Sequence, residues 1–161
     1  MSCSFQPAIS SIARAFGAAG AKVGLIARGR GNQGAAARAF EKAYEVIKAD
    51  AACSPDDPKT LVMLGLISAM LGRAEEAIAA GERAAQLLPI TADALDGPLV
   101  AINLAVIYAQ LGQTGRAIEE LERLVRLPAG PTPGTLRIEP LWDGLRSHPE
   151  FQRLLTDQYA F

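Results

Sequence analysis

The sequence predicts an all-α protein built from stacked helix pairs, and three observations support this fold class. Half of the 161 residues are hydrophobic although only 6% are aromatic, because alanine and leucine, both strong helix formers, supply most of the apolar side chains. β-branched residues are scattered singly and form no alternating runs, so strands are not expected. Finally, the stretch LGLISAMLGRAEEAIAAGERAAQLLP (64–89) is echoed by LAVIYAQLGQTGRAIEELERLVRLP (104–128).

The two copies are offset by 40 residues, and the same residue types recur at the same places. A small residue, Gly65 or Ala105, follows the first leucine and lets two helices approach closely. Gly72 and Gly112 predict the end of the first helix, because glycine readily adopts the left-handed conformation of a helix C-cap. In each copy a second apolar helix follows and ends near a proline.

A third copy is predicted upstream, in KVGLIARGRGNQGAAARAFEKAYEVIKAD (22–50). Its Gly24 and Gly31 align with Gly65 and Gly72 of the second copy. The second helix of this copy extends beyond the usual length, which makes the unit degenerate. A third copy is needed because two units alone do not bury a continuous core.

This pattern resembles the tetratricopeptide repeat (TPR), a helix–turn–helix unit of roughly 34 residues. Tyr108 stands at the aromatic position of the family, whereas Ser68 replaces it in the preceding copy. The resemblance implies a right-handed stack of three helix pairs, an α-solenoid, with a helical C-terminal cap. The expected organisation is a single domain with an N-terminal helix (1–16), a degenerate repeat (17–57), a repeat (58–91), an insertion (92–97), a repeat (98–131) and the cap (132–161).

The C-terminal stretch Arg137–Leu155 does not continue the repeat. Pro140 is expected to begin a short helix, and a final helix carrying Phe151 would cover the open end of the stack, as solenoids require. From Pro58 to Leu155, including LDGP and PLWDGLRSHPEF, the chain also resembles the C-terminal repeat region of large bacterial regulators. In those proteins the region follows a kinase, a cyclase or a winged-helix domain. This resemblance implies a bacterial scaffold and no activity of its own.

A second, local resemblance concerns SSIARAFGAAGAKVGLIARGR (10–30), which is similar to a fragment of a short-chain dehydrogenase. In that family residues 22–27 would form a strand. No glycine-rich phosphate loop precedes the segment, however. Tyr44 and Lys48 have the spacing of the family's Tyr-x-x-x-Lys pair but occur far too early in the chain. Nucleotide binding is therefore not expected.

Charge and hydropathy argue against nucleic-acid and membrane partners. With 16 Lys+Arg against 17 Asp+Glu the net charge is −1, and no clustered basic excess is present. The first apolar run, around 18–27, is interrupted by Lys22 and is too short to span a bilayer. No signal peptide is evident, and Cys3 and Cys53 indicate neither a disulfide framework nor a metal site. A reduced, cytoplasmic protein is the expectation.

The sequence shows no constellation typical of an enzyme. His148 is the only histidine, and it stands near a predicted helix start rather than in a nucleophile or zinc motif. The glycine-rich GRGNQG (29–34) lacks the Lys-Ser/Thr of a phosphate-binding loop. No catalytic activity, cofactor or metal is therefore expected.

With no enzyme motif in the sequence, the remaining candidate for function is a binding surface. In the TPR family the first helix of each unit lines a concave groove, and five positions of that helix project into it. Carried over to the second and third units, the resemblance implies a largely apolar groove in which one methionine can adapt its shape. The implied residues are Lys59, Val62, Leu66, Ala69, Met70, Leu99, Ile102, Val106, Ala109 and Gln110.

The groove implies a non-catalytic scaffold or adaptor that buries an apolar or amphipathic segment of a protein partner. The expected anchors are Val62, Leu66, Met70, Ile102 and Val106. A small-molecule or lipid-binding protein that uses the same groove is the alternative.

An exposed apolar strip requires a cover, and three covers remain open. A partner helix or peptide, or a second copy of the chain, would bury it from outside. Alternatively, the chain's own segment Phe5–Phe16 would fold across it, since Ile9, Ile12 and Phe16 share one helical face.

Overall fold

The structure is a computed structural model that describes the backbone of residues 6–156 and the side chains of residues 14, 15 and 17–156. This part of the chain is helical and contains no strand, which confirms the predicted all-α class. The elements are α1 (Gln6–Gly29), α2 (Gln33–Cys53), α3 (Pro58–Met70), α4 (Ala74–Leu87), α5 (Asp96–Gln110), α6 (Thr114–Leu124), α7 (Pro133–Ile138), a 3₁₀ helix (Pro140–Leu145) and α8 (Pro149–Thr156).

The helices pack as neighbouring pairs. Helix α1 lies against α2, α3 against α4 and α5 against α6, and each pair then packs on the next. The turn within each pair contains a glycine with positive φ, namely Gly31 at 75°, Gly72 at 75° and Gly112 at 72°. The predicted left-handed helix ends are thus confirmed in all three copies. The right-handed sense of the stack and the six segment boundaries remain predictions.

Glycines also allow the close helix crossings that the repeat pattern predicts. A Cβ atom added to Gly65 would lie 2.9 Å from the Ala77 carbonyl oxygen on α4. At the corresponding position of the first pair, a Cβ atom on Gly24 would lie 2.4 Å from the Phe40 ring on α2. The two crossings therefore have no room for a side chain on the first helix.

Helix α1 corrects one expectation. It runs without a break from Gln6 to Gly29, so residues 22–27 are helical and do not form the strand that the dehydrogenase resemblance implied. The predicted groove cover by Phe5–Phe16 stays a prediction, because the side chains of Ile9, Ile12 and Phe16 lie outside the described part of the chain.

A small polar cluster joins the first two pairs at the start of α3. Asp57 is the N-cap of α3, and its side chain accepts a hydrogen bond from the Lys59 backbone N–H. The fully buried hydroxyl of Thr60 lies 2.9 Å from the Asp50 carboxylate and 2.8 Å from that of Asp57. Arg14 of α1 pairs with Asp57 at 2.5 Å. The cluster fixes the entry of α3 relative to α1 and α2.

At the other end, the C-terminal segment forms the predicted cap. Pro140 begins the 3₁₀ helix, and α8 presents Phe151, which is fully buried. Trp142 and Leu136 lie in the same apolar cluster, which also contains side chains of α5 and α6.

One expectation about the C-terminal end of α2 is wrong: Cys53 is disulfide-bonded rather than a reduced thiol.

Candidate functional site

The predicted groove follows the first helix of each pair, α1, α3 and α5, and the structure divides its residues into two groups. Three of the ten predicted residues belong to the core: Val62 is 6% exposed, Ala69 4% and Val106 2%. The remaining predicted positions keep some solvent contact. The apolar wall inferred from the sequence is thus partly buried by the chain itself.

Val62 is buried within the stack. It packs in a cluster with Leu61, Ala84 and Val100, which come from α3, α4 and α5. Its role is to join the second pair to the third. A partner therefore has no access to Val62, which corrects its assignment as a binding anchor.

Val106 is covered by the C-terminal segment. It shares a cluster with Trp142 and Leu145 of the 3₁₀ helix, and these two side chains are 3% and 1% exposed. Leu141 packs against the same cluster. The chain therefore fills part of its own groove with its C-terminal segment. Val106 is likewise not a free anchor.

A chain of hydrogen bonds crosses the groove beside this cover. The Arg28 guanidinium of α1 donates to the Gln110 side-chain oxygen at 3.0 Å. The Gln110 amide nitrogen donates to the Leu141 backbone oxygen at 2.8 Å. Three parts of the chain that are far apart in sequence are thereby tied together at the end of the groove where α1 and α5 terminate.

Next to this bridge lies an open cavity of 510 Å³. Its walls are mostly apolar, and the acidic side chains of Glu139 and Asp143 stand on one side of it. Asp143 is paired with Arg146 at 2.7 Å, whereas Glu139 is exposed. The cavity is lined by Leu25, Ile26, Arg28, Gly29, Glu139, Pro140, Leu141 and Asp143.

Sequence reasoning missed this cavity because the groove positions were carried over to the second and third units only. The same alignment places Leu25, Arg28 and Gly29 opposite Leu66, Ala69 and Met70 of the second unit. The signal was therefore present for α1. The contribution of the 3₁₀ helix had no such signal, because that segment lies outside the repeat.

The other predicted positions form a shallower surface. Leu66, Met70, Ile102 and Ala109 are half-buried at the margin of the C-terminal cluster. Leu99 is 53% exposed near the start of α5.

A salt bridge closes this end of the surface. Lys59 of α3 binds Asp96 of α5 at 2.5 Å, so this cation is engaged within the chain.

Two tyrosines bind carboxylates at the junctions between pairs. The Tyr44 hydroxyl donates to Glu76 at 2.9 Å and accepts from Lys48 at 2.6 Å, and this hydrogen bond raises the pKa of Lys48. Tyr44 is only 3% exposed, and the Glu76 carboxylate to which it donates also accepts a hydrogen bond from Ser68. The Tyr44–Lys48 pair thus joins helices at a repeat junction.

The second tyrosine is Tyr108 of α5. The Tyr108 hydroxyl donates to Glu82 at 2.9 Å, and the Arg116 guanidinium stacks on the ring, 4.1 Å from its centroid. Burial raises the pKa of Tyr108, while the hydrogen bond from Arg116 lowers the pKa of Glu82. The cluster holds α4, α5 and α6 together.

Residues 14, 15 and 17–156 contain no group of three or more His, Cys, Asp and Glu side chains that could hold a metal ion. Nor is any helix in the described part of the chain long and apolar enough to cross a membrane.

These features are typical of helical-repeat proteins, in which stacked pairs present a grooved surface. Residues 100–130, which include most of α5 and all of α6, match the family model of the tetratricopeptide repeat. No curated protein and no protein of known structure shows significant similarity to the chain. The matched segment lies within the third predicted unit (98–131), which carries both Tyr108 and Gly112.

Proposed function

We propose that the chain is a protein–protein interaction scaffold that binds an apolar or amphipathic segment of a protein partner in its groove. The observation that carries this proposal is the cavity between α1 and the 3₁₀ helix, which lies on the groove and remains open beside the self-covered part. Leu25 and Leu141 would contact the apolar side chains of the bound segment. Leu99 extends the contact surface toward the start of α5.

The match to the tetratricopeptide repeat supports this class of function, because such repeats generally mediate protein–protein interactions. A non-catalytic role belongs to the same proposal, as do a bacterial source and partners other than nucleic acid or membrane. Self-association of two copies through the groove is a further form of the same proposal.

Selection from a library of random 16-residue peptides tests the proposal. We expect enriched peptides to carry two or more apolar anchors, and their binding to fall roughly tenfold or more when Leu25 is replaced by aspartate. Leu25→Asp is suitable because this side chain is only half-buried. Ile138→Asp is the matched control, since Ile138 is 73% exposed on α7 and does not line the cavity.

Binding that Leu25→Asp and Leu99→Asp leave unchanged would contradict the use of the groove. Light scattering across a dilution series reports self-association in the same samples, because a monomer has a mass of 16.9 kDa.

A small-molecule or lipid ligand is the second candidate, because a cavity of 510 Å³ falls within the usual size of ligand pockets. Native mass spectrometry of the purified protein distinguishes it: a bound small molecule that Leu25→Asp removes would favour this alternative over a peptide.

A further inference from the structure

The first helix pair has an apolar surface on the side that faces away from the second pair, and we name it the end face. Its centre consists of Val23 and Ile26 on α1 together with Val46 on α2, and these side chains are 58%, 56% and 40% exposed. A depression of 430 Å³ lies beside Val23 and Ile26. This surface is separate from the groove of the proposed function, although Ile26 borders both.

The repeat alignment explains why these residues are apolar. Val23 and Ile26 occupy the positions that Leu64 and Ile67 occupy in the second unit. Leu64 is 9% exposed and Ile67 is fully buried, because the preceding pair covers them. The end face is therefore a surface of the kind on which this protein stacks one repeat against another.

The third unit shows the same relation. Leu104 and Ile107 stand at the corresponding positions of α5, and both are buried. Only in α1 are the two stacking positions apolar and more than half exposed.

The interior junction shows what kind of element such a surface accepts. Helix α2 covers the second unit with one stripe of small and large apolar residues on a single helical face. The apolar cluster at this junction comprises Ala43, Tyr44, Ile47 and Ala51 of α2 with Leu64 and Ile67 of α3 and Ala80 of α4. The matching partner of the end face is thus a helix with apolar residues at i, i+1, i+4 and i+8.

The charges around the end face restrict the partner further. Lys22 on α1, Arg30 in the turn after α1 and Lys42 on α2 are exposed at its margin, and α1 contains no acidic residue. These three cations form no ion pair within the described part of the chain. These three cations outnumber Glu45, the exposed carboxylate next to Val46 on α2, so the end face is positive although the whole chain carries a net charge of −1.

The charged positions of the first pair can be compared with the aligned positions of the second pair. Lys42 aligns with Arg83, which binds Asp56 of the preceding α2–α3 loop at 2.8 Å. Ala35 aligns with Glu76, which accepts a hydrogen bond from Tyr44 of the preceding pair. Within the described residues, Lys42 of the end face therefore has no carboxylate partner of the kind that Arg83 has, and Ala35 stands where the interior face has Glu76.

We propose that the end face of α1 and α2 is a second docking surface, and that its partner is an amphipathic helix whose apolar stripe is flanked by acidic residues. Charge complementarity favours this occupant over a second copy of the chain. In a twofold dimer through this surface, Lys22, Arg30 and Lys42 would meet the same cations of the other copy.

Two fluorescent 21-residue helical peptides test the proposal. Both carry Ala, Tyr, Ile and Ala at the spacing of the α2 stripe, with glutamate on both flanks in one peptide and lysine in the other. We expect the acidic peptide to bind at least roughly tenfold more tightly, and its affinity to fall as salt is added.

Val23→Asp should weaken binding of the acidic peptide roughly tenfold, because Val23 lies on the end face and does not line the groove cavity. Ile138→Asp, an equally drastic change at an exposed residue of α7, should leave this binding unchanged. Circular dichroism confirms that both variants fold.

Equal affinity for the acidic and basic peptides, or no binding of either, would overturn the proposal. A wild-type dimer in light scattering that Val23→Asp converts to a monomer would also overturn it, since a second copy would then occupy the face. Leu25→Asp separates the two proposals, because it should weaken groove binding roughly tenfold or more without changing the affinity for the acidic peptide.

Discussion

Replacing Gly65 with alanine tests whether the repeats need glycine at their helix crossings. The added Cβ would lie 2.8 Å from Ile107 Cδ1, 2.9 Å from the Ala77 carbonyl oxygen and 3.1 Å from the Gly81 nitrogen. Two of these three atoms belong to the backbone of α4, so the contact is relieved only if the helices separate. Such overpacking costs about 1–3 kcal/mol, while alanine recovers about 0.5–1 kcal/mol of helix propensity. We therefore expect Gly65→Ala to destabilise the protein by about 1 kcal/mol.

Gly115 provides the matched control for this substitution. It lies in α6, and a Cβ atom there would meet no heavy atom within 4 Å. Gly115→Ala should therefore stabilise the protein by up to about 0.5–1 kcal/mol through helix propensity alone. Urea unfolding followed by circular dichroism measures both variants, and a net difference near 2 kcal/mol is expected. If the two variants have equal stability, the inference of a tight crossing at Gly65 is refuted.

Three further predictions concern the turns, a junction and the cap. Gly112→Ala should destabilise by about 1–2 kcal/mol in the same urea assay, because φ is 72° and alanine tolerates this poorly; a larger loss for Gly115→Ala would contradict this. The pKa of Glu82 is lowered by the hydrogen bond from Arg116, so its stabilising contribution is present above pH 4.5 and is lost as the pH falls below that value. The urea midpoint of wild type should consequently drop more than that of Glu82→Gln between pH 7 and pH 3.5, and equal drops would exclude the ion pair as the cause. Trp142→Ala should cost about 3–5 kcal/mol, since Trp142 is 3% exposed in the cluster over α5, and a thermal melt close to that of wild type would show that the cap is dispensable.

Local signals in the sequence were sufficient for the helices and their turns. The glycines that end the first helix of each pair and the prolines near the end of the second helix act on neighbouring residues along the chain. Gly31, Gly72 and Gly112 are for this reason confirmed as left-handed helix ends. The C-terminal cap was equally accessible, since Pro140 and the apolar stripe around Phe151 are local features.

The accessible part of the groove was decided by tertiary structure. Val62 and Val106 have the spacing of groove residues, yet one is buried by the third pair and the other by the 3₁₀ helix. Periodicity shows which face of a helix is apolar, but it does not show which distant segment covers that face. The bridge from Arg28 through Gln110 to Leu141 joins residues separated by up to 113 positions, and no repeat pattern relates them. By itself the sequence determined a stack of helix pairs with apolar faces. Only the packing of the pairs on one another and of the C-terminal segment decided which of those faces remain open, because burial depends on contacts between parts of the chain that are remote in sequence.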